Sequence, residues 1–215
     1  MSQSNPRRRP YRAPRRLEQA AATRRAVLAA ARQLFAEQGY RKTSVADVAR
    51  RAGVNADTIY AAVGRKPMLL RQLVETAISG ADEAVPAEER DYVRQIRTTQ
   101  GARAKLATYA EALGAILPRL APIFLCLSEA AADDPDCASL RREISERRAA
   151  NMRRFAADLR ATGELRKDLS DDEVADIVWS LNSSEYYALL VQQRGWSADR
   201  FAAWLADAWA RLLLT

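Results

Sequence analysis

Apolar positions recur at helical spacing along nearly the whole chain. Val27, Leu28, Ala31, Leu34 and Phe35 fall at i, i+1, i+4, i+7 and i+8, which predicts a first helix over residues 17–38, stopped by Gly39. Val45, Val48, Ala49 and Ala52 repeat the pattern in a helix of barely two turns. Ser44 with Asp47 three residues on has capping-box spacing, and Gly53 follows as the residue that takes a left-handed C′ conformation at least cost. Val54 anchors the turn, Asn55 caps the next helix, and Ile59 and Val63 are that helix's apolar side before Gly64 closes it. Ala56, Asp57, Thr58, Tyr60 and Ala61 are left facing mostly outward. So thin a stripe does not hold a short helix by itself. The helix must pack on neighbours and present its other side to something. Helix, glycine turn and helix in this order form a helix-turn-helix pattern, whose second helix enters the major groove of DNA.

Longer helices follow. Pro67 suits a first helical turn, and Leu69, Leu70, Leu73, Val74 and Ile78 continue a stripe to Gly80. Residues 81–100 are charged and weakly periodic, a hinge with a short helix over Ala87–Thr98. Residues 101–132 read as helical, broken near Pro118 and Pro122. After a polar turn at Ala132–Asp136, residues 137–162 form an amphipathic helix with Leu140, Ile144, Met152, Phe155 and Leu159 inward. Its arginines (Arg141, Arg142, Arg147, Arg148, Arg153 and Arg154) interleave with Glu143 and Glu146 as a solvated, salt-bridged face. Residues Asp171–Thr215 read as two long helices split at Arg194-Gly195-Trp196 and capped by Ser170 and Ser197.

Leu and Ala dominate and period-two alternation is rare, so the fold expected is all-α. An N-terminal three-helix helix-turn-helix domain would precede a C-terminal helical bundle. The expected boundaries are a disordered basic arm at 1–16, a DNA-binding domain at 17–66 and a ligand-binding and dimerisation domain at 67–215. The longest uninterrupted apolar run, near Leu120–Leu127, is far short of the roughly 20 residues that span a bilayer, so no membrane partner is expected. No apolar segment backs the N-terminal arginines, so a cytoplasmic protein is expected. Cys126 and Cys137 fit a reduced chain, with a redox switch as the alternative. The chain has no histidine, which removes the commonest general base and metal ligand. No catalytic residue, metal or cofactor is expected.

Charge divides the chain. Up to residue 70 there are 15 Lys and Arg against 4 Asp and Glu; beyond it there are 19 against 23. A basic N-terminal third joined to a mildly acidic remainder places only the first against a polyanion. The first 16 residues hold six arginines and three prolines. They read as an arm that contacts phosphates or the minor groove, or as a solvated tail. Lys66 opens a helix, where a cation opposes the dipole; a nearby phosphate would explain it, as would a plain solvated loop position. Tyr40 reads as a packing residue.

Thr43-Ser44-Val45-x-Asp47-Val48-Ala49, Ala52-Gly53-Val54-Asn55, Thr58-Ile59-Tyr60, Gly64-x-Lys66 and Leu69-Leu70 together resemble the DNA-binding domain of the TetR family over about residues 20–75. The resemblance implies a homodimeric, all-helical transcriptional regulator, usually a repressor released from its operator by a small ligand. By position, Thr43 and Tyr60 resemble the family's phosphate-contacting hydroxyls and Lys66 its phosphate-contacting lysine. Ala56, Asp57, Thr58 and Ala61 fall where base contacts are usual, and Ser44 and Asn55 complete the expected DNA-binding set. Two departures stand out. Ala61 and Ala62 replace bulkier residues, and Val63 stands where an aromatic is common. A groove face this small leaves sequence choice to lean on DNA shape and the arm. Thr58 can bond a base edge or rest its methyl on a thymine. Asp57 can accept from a cytosine amino group, or simply favour the helix N-terminus.

The last two helices carry the candidate dimer interface: Val178, Leu181, Leu189, Phe201, Trp204, Leu205, Ala208, Trp209 and Leu212. Their stripe is too wide and aromatic for a one-sided surface helix, so they would pair with their copies in a four-helix contact, or else cover their own core. Tyr109, Phe124, Phe155, Trp179, Asn182, Ser183 and Tyr186 are candidates for a pocket that takes a small apolar ligand. Two rival readings remain. One is an enzyme, against which stand the missing histidine, metal cluster, phosphate loop and nucleophile motif. The other is an architectural or weakly specific DNA binder without an effector.

Overall fold

The computed structural model describes residues 13–215, with side chains from Arg16 onward. The expected arm therefore lies outside the described residues except at its end, where Ala13 already starts a helix. This first helix, α1 (Ala13–Lys42), is longer at both ends than its apolar stripe requires. Gly39 breaks it as expected, with φ 78° and ψ 171°, and one more turn follows before the next cap. α2 (Val45–Ala52) keeps its full capping box. Ser44 Oγ accepts from the Asp47 N–H at 3.1 Å, and Asp47 accepts from the Ser44 N–H at 2.9 Å. Gly53 then takes the left-handed conformation at φ 68° and returns its N–H to the carbonyls of Ala49 and Arg50. α3 (Ala56–Ala62) starts at Asn55, whose side chain accepts from the Asp57 N–H at 3.2 Å. α4 (Lys66–Ser79) carries Pro67 in its first turn.

The charged stretch resolves into a 3₁₀ turn at Ala87–Glu89 and α5 (Asp91–Thr98), not a single helix. α6 (Ala102–Ala130) corrects the expected breaks, because it runs through both Pro118 and Pro122. Each proline removes an intrahelical bond. Here α6 is the central helix, with α1, α4 and α5 packed along it, and neighbours on all sides hold its course. It is long and apolar enough to span a membrane by composition, but half of it is buried inside the protein. α7 (Pro135–Arg160) starts two residues early, because Asp134 caps it by accepting from the N–H groups of Asp136 and Cys137.

The next expected long helix is interrupted. α8 (Asp171–Leu181) ends at Asn182, α9 (Ser184–Tyr187) begins at a fresh Ser183 cap, and Ala188–Gln193 winds as a π-helix. Asn and Ser compete with helical hydrogen bonds and favour caps. α10 (Ala198–Leu213) closes the fold across α6, meeting it at Gly114. A Cβ on Gly114 would lie 3.0 Å from Ala202 Cβ, so any side chain here would push α10 back by a few tenths of an ångström. Among the described residues the only β pairing is one isolated bridge, Leu165 with Leu214, which ties the chain end to the turn after α7.

Two apolar clusters result. One joins α1–α4 to the far ends of α6 and α7 through Phe124, Leu127, Leu140 and Ile144. The other fills the body between α5, α6, α7, α8 and α10. Leu120 packs against both. The core of α1–α3 thus continues past residue 66 into α4 and the body, so a shift of α4 would be felt on both sides.

Candidate nucleic-acid interface and cavity

α3 hides one residue and exposes the next. Ile59 is 0% exposed and Tyr60 is 53% exposed. Asn55, Asp57 and Ala61 lie open beside Tyr60, Thr58 and Ala56 are half-buried, and Ser44 is open at the start of α2. Such a surface has hydroxyls and a carboxylate for hydrogen bonding and methyl groups for apolar contact, as a groove-reading helix needs.

Thr43 departs from the expected set. It is 1% exposed, and its hydroxyl donates to the Gly39 carbonyl at 2.9 Å. That bond holds the turn between α1 and α2, so its hydroxyl is not on the outer face. Lys66 has an internal partner that the sequence did not suggest. Its ammonium lies 3.8 Å from the centroid of the Tyr40 ring, and burial lowers its pKa. Tyr40 is buried, as expected for a packing residue, and its hydroxyl donates to Asp134 at 2.9 Å. Burial pushes the Tyr40 hydroxyl far above its ordinary value. It pushes the Cys126 thiol up to about 11 and raises that of Cys137 as well, so both are thiols at neutral pH, poor nucleophiles. The basic side chains around the reader are partly tied down. Arg51 pairs with Glu37 at 2.9 Å, Arg50 with Asp47, Arg65 with Asp136 at 3.2 Å and Arg41 with Asp133.

A cavity of about 580 Å³ opens in the body, within the size range of small-molecule sites. Tyr109, Phe124, Phe155 and Asn182 line it; Trp179, Ser183 and Tyr186 do not. Trp179 lies behind Arg148, Ser183 caps α9, and Tyr186 packs on Trp204. Val74 and Ile78 of α4 form part of the wall, so the helix that completes the reader's core also touches the cavity. Asn182 is buried; it accepts from Arg148 Nε at 2.9 Å and donates to the Tyr109 hydroxyl at 3.0 Å. Burial raises the Tyr109 pKa, so the hydroxyl stays protonated. Behind the wall residues Asp158 and Ile96, the Lys105 ammonium is buried against Asp158 Oδ2 at 2.9 Å and the Ile96 carbonyl at 2.8 Å, which locks α6 to α5 and α7.

The solvated-arginine reading of α7 missed Arg147, Arg148 and Arg154, all on the cavity wall. The signal was present. Arg148 sits four residues after Ile144 and four before Met152, on the same stripe as the inward residues.

The candidate dimer residues divide. Val178, Phe201, Leu205 and Trp209 are fully buried in the chain's own core and cannot face a partner. Trp209 stacks on Tyr109 with centroids 5.6 Å apart, and Phe201 meets Tyr187 edge-on at 5.1 Å. The wide aromatic stripe of α10 is explained by α6 and α9 on its inner side. Leu189 and Leu212 stay exposed at 48% and 43%, and Leu181, Trp204 and Ala208 are half-buried.

Residues 27–72 match the family model for bacterial regulatory proteins of the tetR family. No curated protein matches the chain. Solved structures share its fold. The fatty acid degradation regulator FadR of Bacillus halodurans aligns with a TM-score of 0.71 at 16% identity, over 87% of this chain and 94% of its own. NalD, the secondary repressor of the MexAB-OprM multidrug efflux pump in Pseudomonas aeruginosa, aligns at 0.69 and 20%, over 89% and 96%. The transcriptional regulator FadR of Bacillus subtilis, solved with stearoyl-CoA, aligns at 0.69 and 18%, over 86% and 96%.

Proposed function

We propose, from the match of residues 27–72 to the tetR-family model, that this chain is a dimeric, sequence-specific transcriptional repressor. It works in the cytoplasm, without enzymatic activity, and a small molecule in the body cavity releases it from DNA. The observation that carries this reading is α3, where a single buried residue, Ile59, anchors an otherwise outward helix. Two copies would enter successive major grooves about 34–36 Å apart on a roughly palindromic site. Tyr60 would bond a phosphate and Thr58 and Asp57 would meet base edges, with the N-terminal arginines adding charge. Leu189, Leu212 and Trp204 are the side chains of the last helices free to meet the second copy. The cavity supports the effector half, because α4 serves both its wall and the reader core. A regulator of the same fold was solved with stearoyl-CoA. An effector acts only by binding the released spacing of the readers better than the DNA-bound one.

The exposed Ala61 and Ala62 favour one second reading, a weakly specific architectural binder. Selecting bound duplexes from a random-sequence pool with the full chain separates the two. A repressor enriches a palindrome held at least 1,000-fold tighter than random duplex, within the usual ~10³–10⁷ range. An architectural binder enriches nothing.

A further inference from the structure

The cavity wall holds more positive charge than its carboxylates balance. Arg148 points inward from α7, half-buried, and each of its partners is neutral. Its Nε donates to Asn182 Oδ1 at 2.9 Å, a terminal nitrogen donates to the Trp179 carbonyl, and the guanidinium lies 4.5 Å over the Trp179 ring. Among the described residues no carboxylate comes within 4.0 Å of it. Burial lowers the Arg148 pKa, and the charge of Glu185, beyond ion-pair distance, offsets this only in part. Beside it, Arg147 and Arg90 share one carboxylate, that of Glu75 on α4. Arg97 and Arg154 also line the wall, so five guanidiniums stand against the wall's own two carboxylates, Asp158 and Glu88, and Glu75 next to it. Of the carboxylates on the wall itself, Asp158 is held by Lys105 and Glu88 stands out on the 3₁₀ turn. The remaining wall is largely apolar, with Leu113, Leu117 and Phe124 at its core.

We propose that the cavity selects an apolar monoanion, a carboxylate on a hydrocarbon body, whose head pairs with Arg148 and competes with Glu75 for Arg147 and Arg90. This rests on the effector reading above and deepens it. A half-buried guanidinium with only neutral partners gains most from an anion, because ion pairs and charge-assisted hydrogen bonds strengthen where water is excluded. A neutral ligand leaves that charge uncompensated, and a cation adds repulsion. Glu75 links the head to the reader: a head that takes its guanidiniums loosens the hold on α4, which runs back to Lys66.

Isothermal titration of the full chain at neutral pH and fixed salt tests this with three probes of equal chain length: decanoate, decanamide and decyltrimethylammonium. Decanoate should bind at least tenfold tighter than the amide, and the cation weakest. Arg148→Met should erase the preference and Arg148→Lys should retain part of it. Glu75→Gln should tighten decanoate several-fold, and Arg153→Gln, outside the cavity, should change nothing. If Arg148→Met loses its helical circular dichroism, Arg147→Gln gives the same reading as a weakened preference. Equal affinities, or a preference that survives Arg148→Met, overturn the inference and leave the cavity a ligand site without charge selection. If no probe binds while the selected duplex is still held, the inference falls and the regulator reading stands. If duplex binding is also lost, the regulator reading fails first.

Discussion

Helices α3 and α10 both read in the sequence as surfaces for another molecule, but they bury opposite amounts of themselves. α3 is seven residues with one buried side chain; α10 is sixteen with five, two of them aromatic. In α3 the thin stripe marks an outward face, since nothing else explains a helix that small. In α10 the wide stripe marks a core helix, because α6 covers one side and α8 with the π-helix another, while Tyr186 and Tyr187 of α9 meet Trp204 and Phe201. An aromatic-rich stripe therefore predicts burial, and only its exposed margin, Trp204, Ala208 and Leu212, remains for a partner.

Substitutions break the comparison in order of size. Trp209→Ala should cost about 3–5 kcal/mol in urea unfolding, as truncating a buried Trp does. A cost below about 1 kcal/mol would return α10 to the surface. Leu189→Glu with Leu212→Glu should leave the melt little changed but convert dimers to monomers by sedimentation; dimers that persist would move the interface elsewhere. Ser44→Ala should cost about 0.5–2 kcal/mol through the α2 cap. The same cap carries a pH signature. Bonds from Ser44 hold the Asp47 carboxylate below its ordinary pKa. Its contribution is present above about pH 4 and lost as pH falls through the lowered value. Amide exchange at the start of α2 should quicken in acid, and Ser44→Ala should weaken that dependence, leaving the part held by the backbone N–H and Arg50. Tyr60→Phe should change stability by less than about 0.5 kcal/mol, as at an exposed site, yet weaken DNA binding to all sequences alike. A large loss of stability would mean that Tyr60 packs inward.

What the sequence made legible is what is local. The Ser44–Asp47 box, the left-handed Gly53 and the Asn55 and Ser197 caps are all written within four residues, and the fold uses each. Features set by distant partners were not legible. α6 passes its two prolines because other helices hold it. Asn182 and Ser183 mark a local break, but the partners that hold the Asn182 amide, Arg148 and Tyr109, lie 34 and 73 residues away. Arg148 is the instructive miss: its position on the stripe pointed inward, while its charge argued for solvent. The cavity gives that charge a place. Thr43 shows the reverse, a hydroxyl at a family contact position that the turn itself consumes.

Fluorescence anisotropy of the selected duplex against salt, for the intact chain and for Lys66→Ala, tests most directly whether the α3 face meets DNA. Affinity of the intact chain should fall steeply and linearly on logarithmic axes, by about 10³-fold or more from 50 to 200 mM salt. Lys66→Ala should shallow the slope by about one unit if its ammonium leaves Tyr40 for a phosphate. Retention that ignores salt, or no retention on any duplex, would contradict the account.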